Sequence, residues 1–355
     1  MTKFNSQFFL NKKILITGHT GFKGSWLTRI LVLLGADVTG YALEPIQKRS
    51  LFNLLKLDKQ INSVVGDIRD LKHLNDVFNQ SNPEFVIHLA AQPLVLNSYN
   101  DPVYTYETNV IGTVNICDCV RRSSSVKSFL NVTTDKVYNN KEWMWGYREN
   151  EELNGFDPYS NSKSCSELVT ATFRRCFSQK NGVAISTARA GNVIGGGDFS
   201  PDRIIPDCAR AAFSHSRLIL RHPNSIRPYQ HVLEPLFAYL LILKEQFENP
   251  NISGAYNVGP DGDGCVTTSE IARLFQKYYG GFAIDSTETN GPHEANFLKL
   301  DCTKIKSTLG WKPTLDIDTG IKFTAEWYKT VDQDDTCATS ITDDQIGKYL
   351  NLLTY

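Results

Sequence analysis

The sequence has little that would suggest a metal site, a membrane span or a nucleic-acid partner. Its eight cysteines include no C-x-x-C pair and no group with zinc-ligand spacing, so we expect free thiols and no metal. With 37 basic and 38 acidic residues the formal charge is -1, which gives no basic excess for nucleic acid or anionic lipid. It contains no run of about 18 apolar residues and no secretion signal. These absences predict a cytoplasmic protein.

The pattern of apolar residues predicts an α/β fold. From residue 13 to about residue 190, short β-branched runs alternate with segments of helical periodicity. This alternation is typical of a Rossmann-type doubly wound parallel sheet with right-handed crossovers. We therefore predict a dinucleotide-binding domain over residues 1–190 and a smaller C-terminal substrate-binding domain over 191–355, with residues 232–260 packing back on the first. Residues 331–345 are expected to form a loose loop before a terminal helix.

A glycine-rich stretch joins the first predicted strand to the first predicted helix. Gly18, Gly21 and Gly24 fit G-x-x-G-x-x-G, and Phe22 lies within the motif. Glycines let the backbone approach a pyrophosphate closely, and a helix N-terminus offers N–H groups and a favourable dipole to an anion. The position of the motif between a strand and a helix predicts a dinucleotide site.

Two side chains are unusual in such a loop. His19 and Lys23 lie between the glycines, and two interpretations are open. They face solvent near the phosphates, or they crowd the cofactor and weaken its binding.

The end of the second predicted strand bears on the choice between NAD and NADP. The position where an acid would hold the ribose hydroxyls of NAD falls near Ala42, with Glu44 two residues later. No arginine occupies the strand end, although Lys48 and Arg49 follow, so NAD is favoured. Asp67 is placed either to reach the adenine or to lie in a surface turn.

Tyr159 and Lys163 form a Y-x-x-x-K pair on one face of a predicted helix that Asp157 is placed to cap. A phenol is a weak base at neutral pH, and a nearby ammonium lowers its pKa by favouring the phenolate. Coming after the glycine motif, the pair predicts proton removal from a sugar hydroxyl coupled to hydride transfer.

Several motifs resemble those of the extended short-chain dehydrogenases/reductases that modify nucleotide sugars. These are the glycine stretch, "HLAAQ", "TNVIGT", "TTDKVY", the Tyr159–Lys163 pair, "RAGNVIGGGD", "RPYQHVLEP" and "LGWKP". They span residues 13 to about 313. "GHTGFKGSW", "RPYQHVLEP" and the T-D-K order are most similar to the 4,6-dehydratases that act on CDP-glucose.

The resemblance implies a reaction. A hydride leaves C4 of the hexose for NAD, water is lost across C5 and C6, and the hydride returns to C6 to give a 4-keto-6-deoxy sugar. Thr134 would bond the C4 hydroxyl, Asp135 would protonate the C6 hydroxyl, and Lys136 would face C5. Lys136 is either a neutral base or a charged group that stabilises the C5 enolate. A 4-epimerase, or a dehydratase of a dTDP-, GDP- or UDP-hexose, is the alternative.

The resemblance also implies further binding residues and an assembly. Ile68, Leu89, Ala90, Ala91 and Thr108 would line the NAD site. Asn192 and Arg227 would hold the diphosphate of CDP-glucose unless they are an ordinary capping and surface residue, and Arg203 and Glu294 would lie towards the nucleotide. Relatives pair through two long helices, so a homodimer or a homotetramer is expected.

Overall fold

The computed structural model describes residues 4–286 and 298–353, and the chain alternates between strands and helices through most of this length. Its strands are β1 Lys13–Thr17, β2 Asp37–Ala42, β3 Asn62–Val65, β4 Phe85–His88, β5 Ser128–Thr134, β6 Ala184–Ala190, β7 Asn192–Ile194, β8 Arg217–Leu220, β9 Ile226–His231, β10 Ala255–Val258, β11 Cys265–Thr267 and β12 Ala283–Ser286. Its α-helices are α1 Phe22–Leu33, α2 Leu51–Leu54, α3 Leu71–Ser81, α4 Val95–Asn100, α5 Pro102–Tyr106, α6 Gly112–Arg122, α7 Pro158–Asn181, α8 Ile204–Phe213, α9 Leu233–Glu248, α10 Thr268–Tyr279, α11 Thr303–Leu309, α12 Ile317–Gln333 and α13 Ala338–Leu352.

The central sheet has seven parallel strands in the order β10-β6-β5-β4-β1-β2-β3. Within β1, Ile14 and Ile16 enter one hydrophobic core and Leu15 enters the other. Both faces of the sheet are therefore covered by apolar side chains, which explains why the strands read as continuous apolar runs. The Rossmann-type fold predicted from the sequence is confirmed.

The strand order reverses between β1 and β4, which are neighbours in the sheet. At such a switch point the loops after the two strands turn to opposite faces and leave a crevice at their carboxyl ends, where open α/β sheets bind ligands. The glycine motif follows β1, and the "TTDKVY" turn ends β5 on the far side of β4. Both predicted motifs thus lie at the same edge of the sheet.

The chain leaves the central sheet after Ala190 and returns to it later. Strands β7, β9 and β11 form a second sheet, and β8 pairs with β12 in a third. Helix α9 packs on β5 and β6, and β10 forms the edge of the central sheet beside β6. A division at residue 190 with a return over 232–260 fits this course of the chain and stays a prediction.

The C-terminal helices dock on the first half of the chain. The Arg29 guanidinium of α1 donates two hydrogen bonds to Asp343 of α13, at 2.7 and 2.6 Å. Arg49 contacts Asp332 of α12 at 3.0 Å. The expected loose loop over 331–345 is wrong, because α12 runs to Gln333 and α13 begins at Ala338. In α13, Ala338, Ile346 and Tyr349 are buried, and the polar side chains of Thr342 and Gln345 are buried with them.

Candidate active site

The glycine motif makes a tight turn against the end of β4. Gly18 has φ +78°, and a Cβ there would lie 2.7 Å from the backbone nitrogen of Ala90. A Cβ on Gly24 would lie 2.1 Å from the Gly18 carbonyl oxygen. Gly21 is exposed at the N-cap of α1 and has no side chain to occupy the helix N-terminus. The open helix end and the tight loop fit a pyrophosphate, as expected for a dinucleotide.

His19 points into the protein and not towards solvent. Its side chain is fully buried, its Nε2 lies 2.8 Å from the Ser63 hydroxyl of β3, and its ring fills the space left by the missing side chain of Gly40 in β2. Burial lowers the pKa of His19 to about 4, so the ring is neutral. The solvent-facing interpretation is therefore wrong for His19, since two strands of the sheet cover it.

Lys23 is coupled electrostatically to the predicted catalytic residues. Burial and the positive charge of Arg203 lower its pKa to about 8, while the charge of Asp135 acts in the opposite direction. Lys23 in turn lowers the pKa of Lys163. A cation of the glycine motif thus acts on the predicted proton-transfer group, which the sequence did not indicate. The neighbouring Phe22 ring packs near Gly195, where a Cβ would come within 3.1 Å.

The remaining residues predicted to line a cofactor site differ in their contacts and in their burial. Leu89 and Ala90 contact Gly18, and Ala91 follows them, partly exposed. Ile68 packs on Gly112 of α6. The buried Thr108 hydroxyl has no hydrogen-bond partner among the residues that the structure describes, and a bound ligand would satisfy such a group.

Asp67 is held by a neighbouring cation. Its carboxylate makes an ion pair of 2.7 Å with Arg69, which also contacts Glu107 at 3.0 Å, and Arg69 lowers the pKa of Asp67. The backbone oxygen of Asp67 accepts a hydrogen bond from the Tyr41 hydroxyl. The residue therefore stays partly exposed in a fixed position after β3, where both of its predicted roles remain open.

The "TTDKVY" turn brings three polar groups together at the end of β5. The Thr134 hydroxyl donates to Asp135 Oδ1 at 3.0 Å and accepts from the Lys136 backbone N–H at 3.4 Å. Asp135 is only 2 % exposed, and a Cβ on Gly191 would lie 3.1 Å from its Oδ2. Burial raises the pKa of Asp135, while Lys136, Thr134 and Arg227 lower it.

The tyrosine–lysine pair lies on the first turns of α7, a helix that Asp157 caps by accepting from the Ser160 N–H at 2.9 Å. Lys163 Nζ donates to the Val132 carbonyl of β5 at 3.3 Å, which brings the pair to the "TTDKVY" turn. Burial raises the pKa of Tyr159 to about 12, although hydrogen bonding to Thr134 and the Arg203 charge oppose this rise.

Lys163 sits in a cationic and nearly dry environment. It is 4 % exposed, and burial together with Lys23 lowers its pKa to about 7, against the opposing effect of Glu167. Its charge also lowers the pKa of the buried His88, whose Nδ1 lies 2.7 Å from the Thr17 hydroxyl. A lysine with this pKa exchanges a proton readily at neutral pH.

Two of the predicted substrate-binding residues lie on strands of the second sheet. Asn192 begins β7 and pairs with Tyr229 of β9, and Arg227 of β9 lines a cleft of about 800 Å³ together with Lys136. Arg203 pairs with Asp198 at 3.1 Å and acts on Tyr159, so it lies nearer to the catalytic pair than expected. Glu294 lies outside the described residues.

Sequence reasoning missed several residues of this region. Val95 and Tyr106 line the cleft, and Gly191 leaves room for Asp135. Glu167 and Arg189 form a buried ion pair of 2.8 Å behind the catalytic turn. The one available signal was the spacing of Glu167, which follows Lys163 by four residues and therefore shares its helix face.

The part of the chain that the structure describes offers neither a membrane-spanning helix nor a cluster of metal ligands. Within residues 4–286 and 298–353, no helix is both long and apolar enough to cross a bilayer. In the same ranges, no group of three or more His, Cys, Asp or Glu side chains could hold a metal ion.

A Rossmann-type sheet with a glycine motif and a tyrosine–lysine pair at its carboxyl edge is the arrangement of the extended short-chain dehydrogenases/reductases. The model of the GDP-mannose 4,6 dehydratase family matches residues 15–324, and the chain belongs to that family. A CDP-glucose 4,6-dehydratase from Salmonella typhimurium is 43 % identical over 334 residues, which are 92 % of this chain and 92 % of that protein.

Other relatives vary in the nucleotide and in the reaction. A probable dTDP-glucose 4,6-dehydratase from Sinorhizobium fredii is 29 % identical, over 89 % of this chain and 92 % of that protein. A UDP-glucose 4-epimerase from Thermotoga maritima, solved with UDP-glucose, superimposes with a TM-score of 0.77 at 23 % identity, over 90 % of this chain and 99 % of that one. At this identity the likeness shows the fold.

Proposed function

We propose that this protein is an NAD-dependent lyase that converts CDP-D-glucose into CDP-4-keto-6-deoxy-D-glucose and water. Membership of the family and the 43 % identity to a CDP-glucose 4,6-dehydratase support the reaction and the substrate. The observation that carries the proposal is the buried Asp135 beside Lys136, which lines the cleft, because burial raises the pKa of Asp135 in the direction that a general acid requires.

NAD would bind across the switch point of the sheet. Gly18, Gly21 and Gly24 would hold the pyrophosphate at the N-terminus of α1, with Asp67, Ile68, Leu89, Ala90, Ala91 and Thr108 lining the rest. A dinucleotide solved in a relative supports this placement: the dTDP-glucose 4,6-dehydratase of Bacillus anthracis, in complex with NAD, superimposes with a TM-score of 0.75. When bound, NAD supplies the hydride acceptor for C4 and the hydride donor for C6.

Tyr159 would take the proton of the C4 hydroxyl. In the protein alone, burial keeps its pKa near 12, so the phenolate must be stabilised as the proton leaves. The Lys163 ammonium and the Thr134 hydroxyl are the groups placed to do this, with Thr134 also binding the C4 oxygen. Because Lys163 has a pKa of about 7, its charged form is present below neutral pH and is lost as the pH rises through that value.

Asp135 and Lys136 would complete the loss of water. Asp135 would protonate the C6 hydroxyl as it leaves, since its buried carboxyl favours the neutral form. Lys136 lines the cleft beside it and would face C5. Lys136 acts there either as the base that removes the C5 proton or as a cation that stabilises the enolate. We favour the base, because a proton must leave C5 for water to be lost and a proton must be returned to C5 as the hydride reaches C6.

The substrate would lie between the central sheet and the second sheet, which is formed by β7, β9 and β11. Arg227 and Asn192 would hold the diphosphate, and the planar guanidinium of arginine suits this because it can donate two bonds to phosphate oxygens at once. Arg203 and Glu294 are proposed for the nucleotide end, although the ion pair of Arg203 with Asp198 must then yield to the substrate. A 4-epimerase needs no acid for C6, so the buried Asp135 favours a dehydratase.

The purified protein tests this function directly. It is incubated in turn with CDP-, dTDP-, UDP- and GDP-linked hexoses, and the 4-keto product is followed by its absorbance in alkali. We expect turnover with CDP-glucose and transfer of deuterium from C4 to C6 of the product. Asp135→Asn should still oxidise C4 but form little product. Tyr159→Phe should not oxidise C4 and should therefore form no product. Turnover with a different nucleotide alone would reject the substrate, and label lost to solvent would reject the internal hydride transfer.

We further propose that the enzyme is cytoplasmic and assembles as a homodimer or a homotetramer. Apolar side chains are exposed at Val103 of α5 (67 %), at Ile111 directly before α6 (51 %) and at Leu168 of α7 (55 %). Exposed apolar side chains on these elements fit pairing of two copies. The product class suits the synthesis of deoxysugars for a lipopolysaccharide O-antigen. Light scattering after size exclusion tests the assembly, and Leu168→Glu should shift it towards the monomer.

A further inference from the structure

A charged pair is enclosed behind the catalytic turn. Glu167 of α7 is 2 % exposed, Arg189 of β6 is 3 % exposed, and their side chains meet at 2.8 Å. The Glu167 carboxylate also accepts hydrogen bonds from the Thr133 hydroxyl at 2.5 Å and from the Thr187 hydroxyl at 2.8 Å. The carboxylate therefore has three partners on two strands, as a buried charge requires.

The guanidinium extends the network to the far end of the same turn. Arg189 Nη1 donates to the Tyr138 hydroxyl at 2.8 Å and to the Glu149 carbonyl at 3.0 Å. The Tyr138 hydroxyl donates in turn to Asn257 Oδ1 at 2.7 Å. Thr133 and Tyr138 flank residues 134–137, so the ion pair holds the catalytic turn on both sides.

The same carboxylate faces the catalytic lysine. Glu167 follows Lys163 by four residues on α7 and shares its helix face. The charged groups that act on Lys163 are Lys23 from α1 and Glu167 from its own helix, and the Lys163 charge in turn acts on His88 of β4. Of these, Glu167 is the one that favours the ammonium form.

Stability alone does not require these charges. A buried ion pair is often no more stable than apolar side chains of the same volume, because both charges lose their hydration. Here Glu167 lies one helical turn from Lys163, whose ammonium form is disfavoured because the side chain is buried. The position of the Glu167–Arg189 pair therefore suggests that it contributes to the candidate active site as well as to the packing of the core.

We propose that Glu167 is a positioning residue of the dehydratase: its carboxylate fixes the Thr134–Lys136 turn against α7 and favours the ammonium form of Lys163. Glu167 touches neither substrate nor cofactor and acts through Thr133, Arg189 and Lys163. This inference rests on the proposed function for its effect on turnover, but the charge of Lys163 can be measured without any substrate.

The test uses a neutral replacement of the whole pair. Glu167→Gln alone leaves the Arg189 charge unpaired and is prone to misfold, so Glu167→Gln/Arg189→Met is the main variant. Thr133→Val removes one hydrogen bond and no charge. Glu234→Gln is the matched control, since it neutralises another buried carboxylate, which accepts hydrogen bonds from Thr314 and Leu315.

The first measurement is the titration of Lys163 by NMR of the protein with isotope-labelled lysine, assigned by loss of the signal in Lys163→Arg. Loss of a nearby negative charge favours the neutral amine, so the double variant should titrate about one pH unit lower, a change of about tenfold in the equilibrium. Glu234→Gln and Thr133→Val should titrate as the wild type does. An unchanged titration in the folded double variant would overturn the proposal.

The second measurement is the pH profile of turnover with the nucleotide sugar that the wild type accepts. The double variant should lose activity at lower pH than the wild type, with KM changed less than kcat, and Thr133→Val should lower kcat without moving the profile. A double variant whose kcat and pH profile match those of the wild type would also refute the role. A wild type inactive with every sugar would reject the proposed function, while the NMR titration would still decide the charge of Lys163.

Discussion

The close approach of Gly18 to the end of β4 gives a sharp test of the structure. Gly18→Ala adds a Cβ to a residue with φ +78°, at 2.7 Å from the Ala90 nitrogen and 2.8 Å from the Leu89 carbonyl carbon. The left-handed conformation costs a non-glycine residue about 1–2 kcal/mol. The clash is with backbone atoms that cannot rotate away, and overpacking of this kind adds about 1–3 kcal/mol. We expect a total loss of about 2–5 kcal/mol in the free energy of unfolding.

Gly310 provides the matched control. It has φ +69° at the end of α11, and a Cβ there would meet no atom within 4 Å among the described residues. Gly310→Ala should therefore cost only the conformational part, about 1–2 kcal/mol. Urea unfolding followed by circular dichroism measures both variants, and calorimetry should show that Gly18→Ala alone loses NAD binding. If the two variants lost equal stability and both bound NAD, the close packing of the glycine turn would be refuted.

Three further outcomes follow from the site. Lys136→Met should abolish exchange of the C5 hydrogen with deuterated solvent while some C4 oxidation remains, as mass spectrometry of the product would show; unchanged exchange would reject the base. Lys23→Met should raise the pKa of Lys163 above about 7, because Lys23 lowers it, and NMR titration should place the change at higher pH. Burial raises the pKa of Glu234 to about 7, so its contribution to stability falls as the pH rises from the unfolded value of 4.5 through 7, by about 3 kcal/mol. Thermal unfolding of Glu234→Gln should show a weaker loss over that range, and an identical pH dependence would contradict the burial argument.

Local patterns in the sequence were enough to predict the central sheet and the elements that carry the motifs. Gly18 and Tyr159 could be found because a glycine turn and a helical i, i+4 pair are set by residues close together in the chain. The parallel, doubly wound arrangement of the sheet followed from the alternation of strands and helices, which allows few topologies. The prediction of a loose loop over residues 331–345 failed, because polar residues of α13 take part in the packing: Thr342 and Gln345 are buried, and the Thr342 hydroxyl accepts a hydrogen bond from the Trp327 indole of α12.

The burial and the neighbours of each side chain could not be predicted from local patterns in the sequence. His19 is buried because Gly40 of β2 leaves space and Ser63 of β3 offers a hydroxyl, and neither neighbour is close in sequence. Asp135 is held near Gly191, which only the pairing of β5 with β6 brings there. Such contacts join residues tens of positions apart, so the spacing of motifs could name the catalytic residues but not their pKa values.

The charges of the site explain why its lysines are arranged as they are. A lone buried lysine would lose its proton, and Lys163 has both burial and Lys23 acting in that direction. The enclosed Glu167 opposes them, and the resulting pKa of about 7 leaves the ammonium and the amine comparably populated at neutral pH. In the proposed cycle Tyr159 gives up a proton and regains one, and the ammonium form of Lys163 stabilises its phenolate more strongly than the amine does. A lysine that changes readily between the two forms at neutral pH suits a cycle that both removes and returns protons.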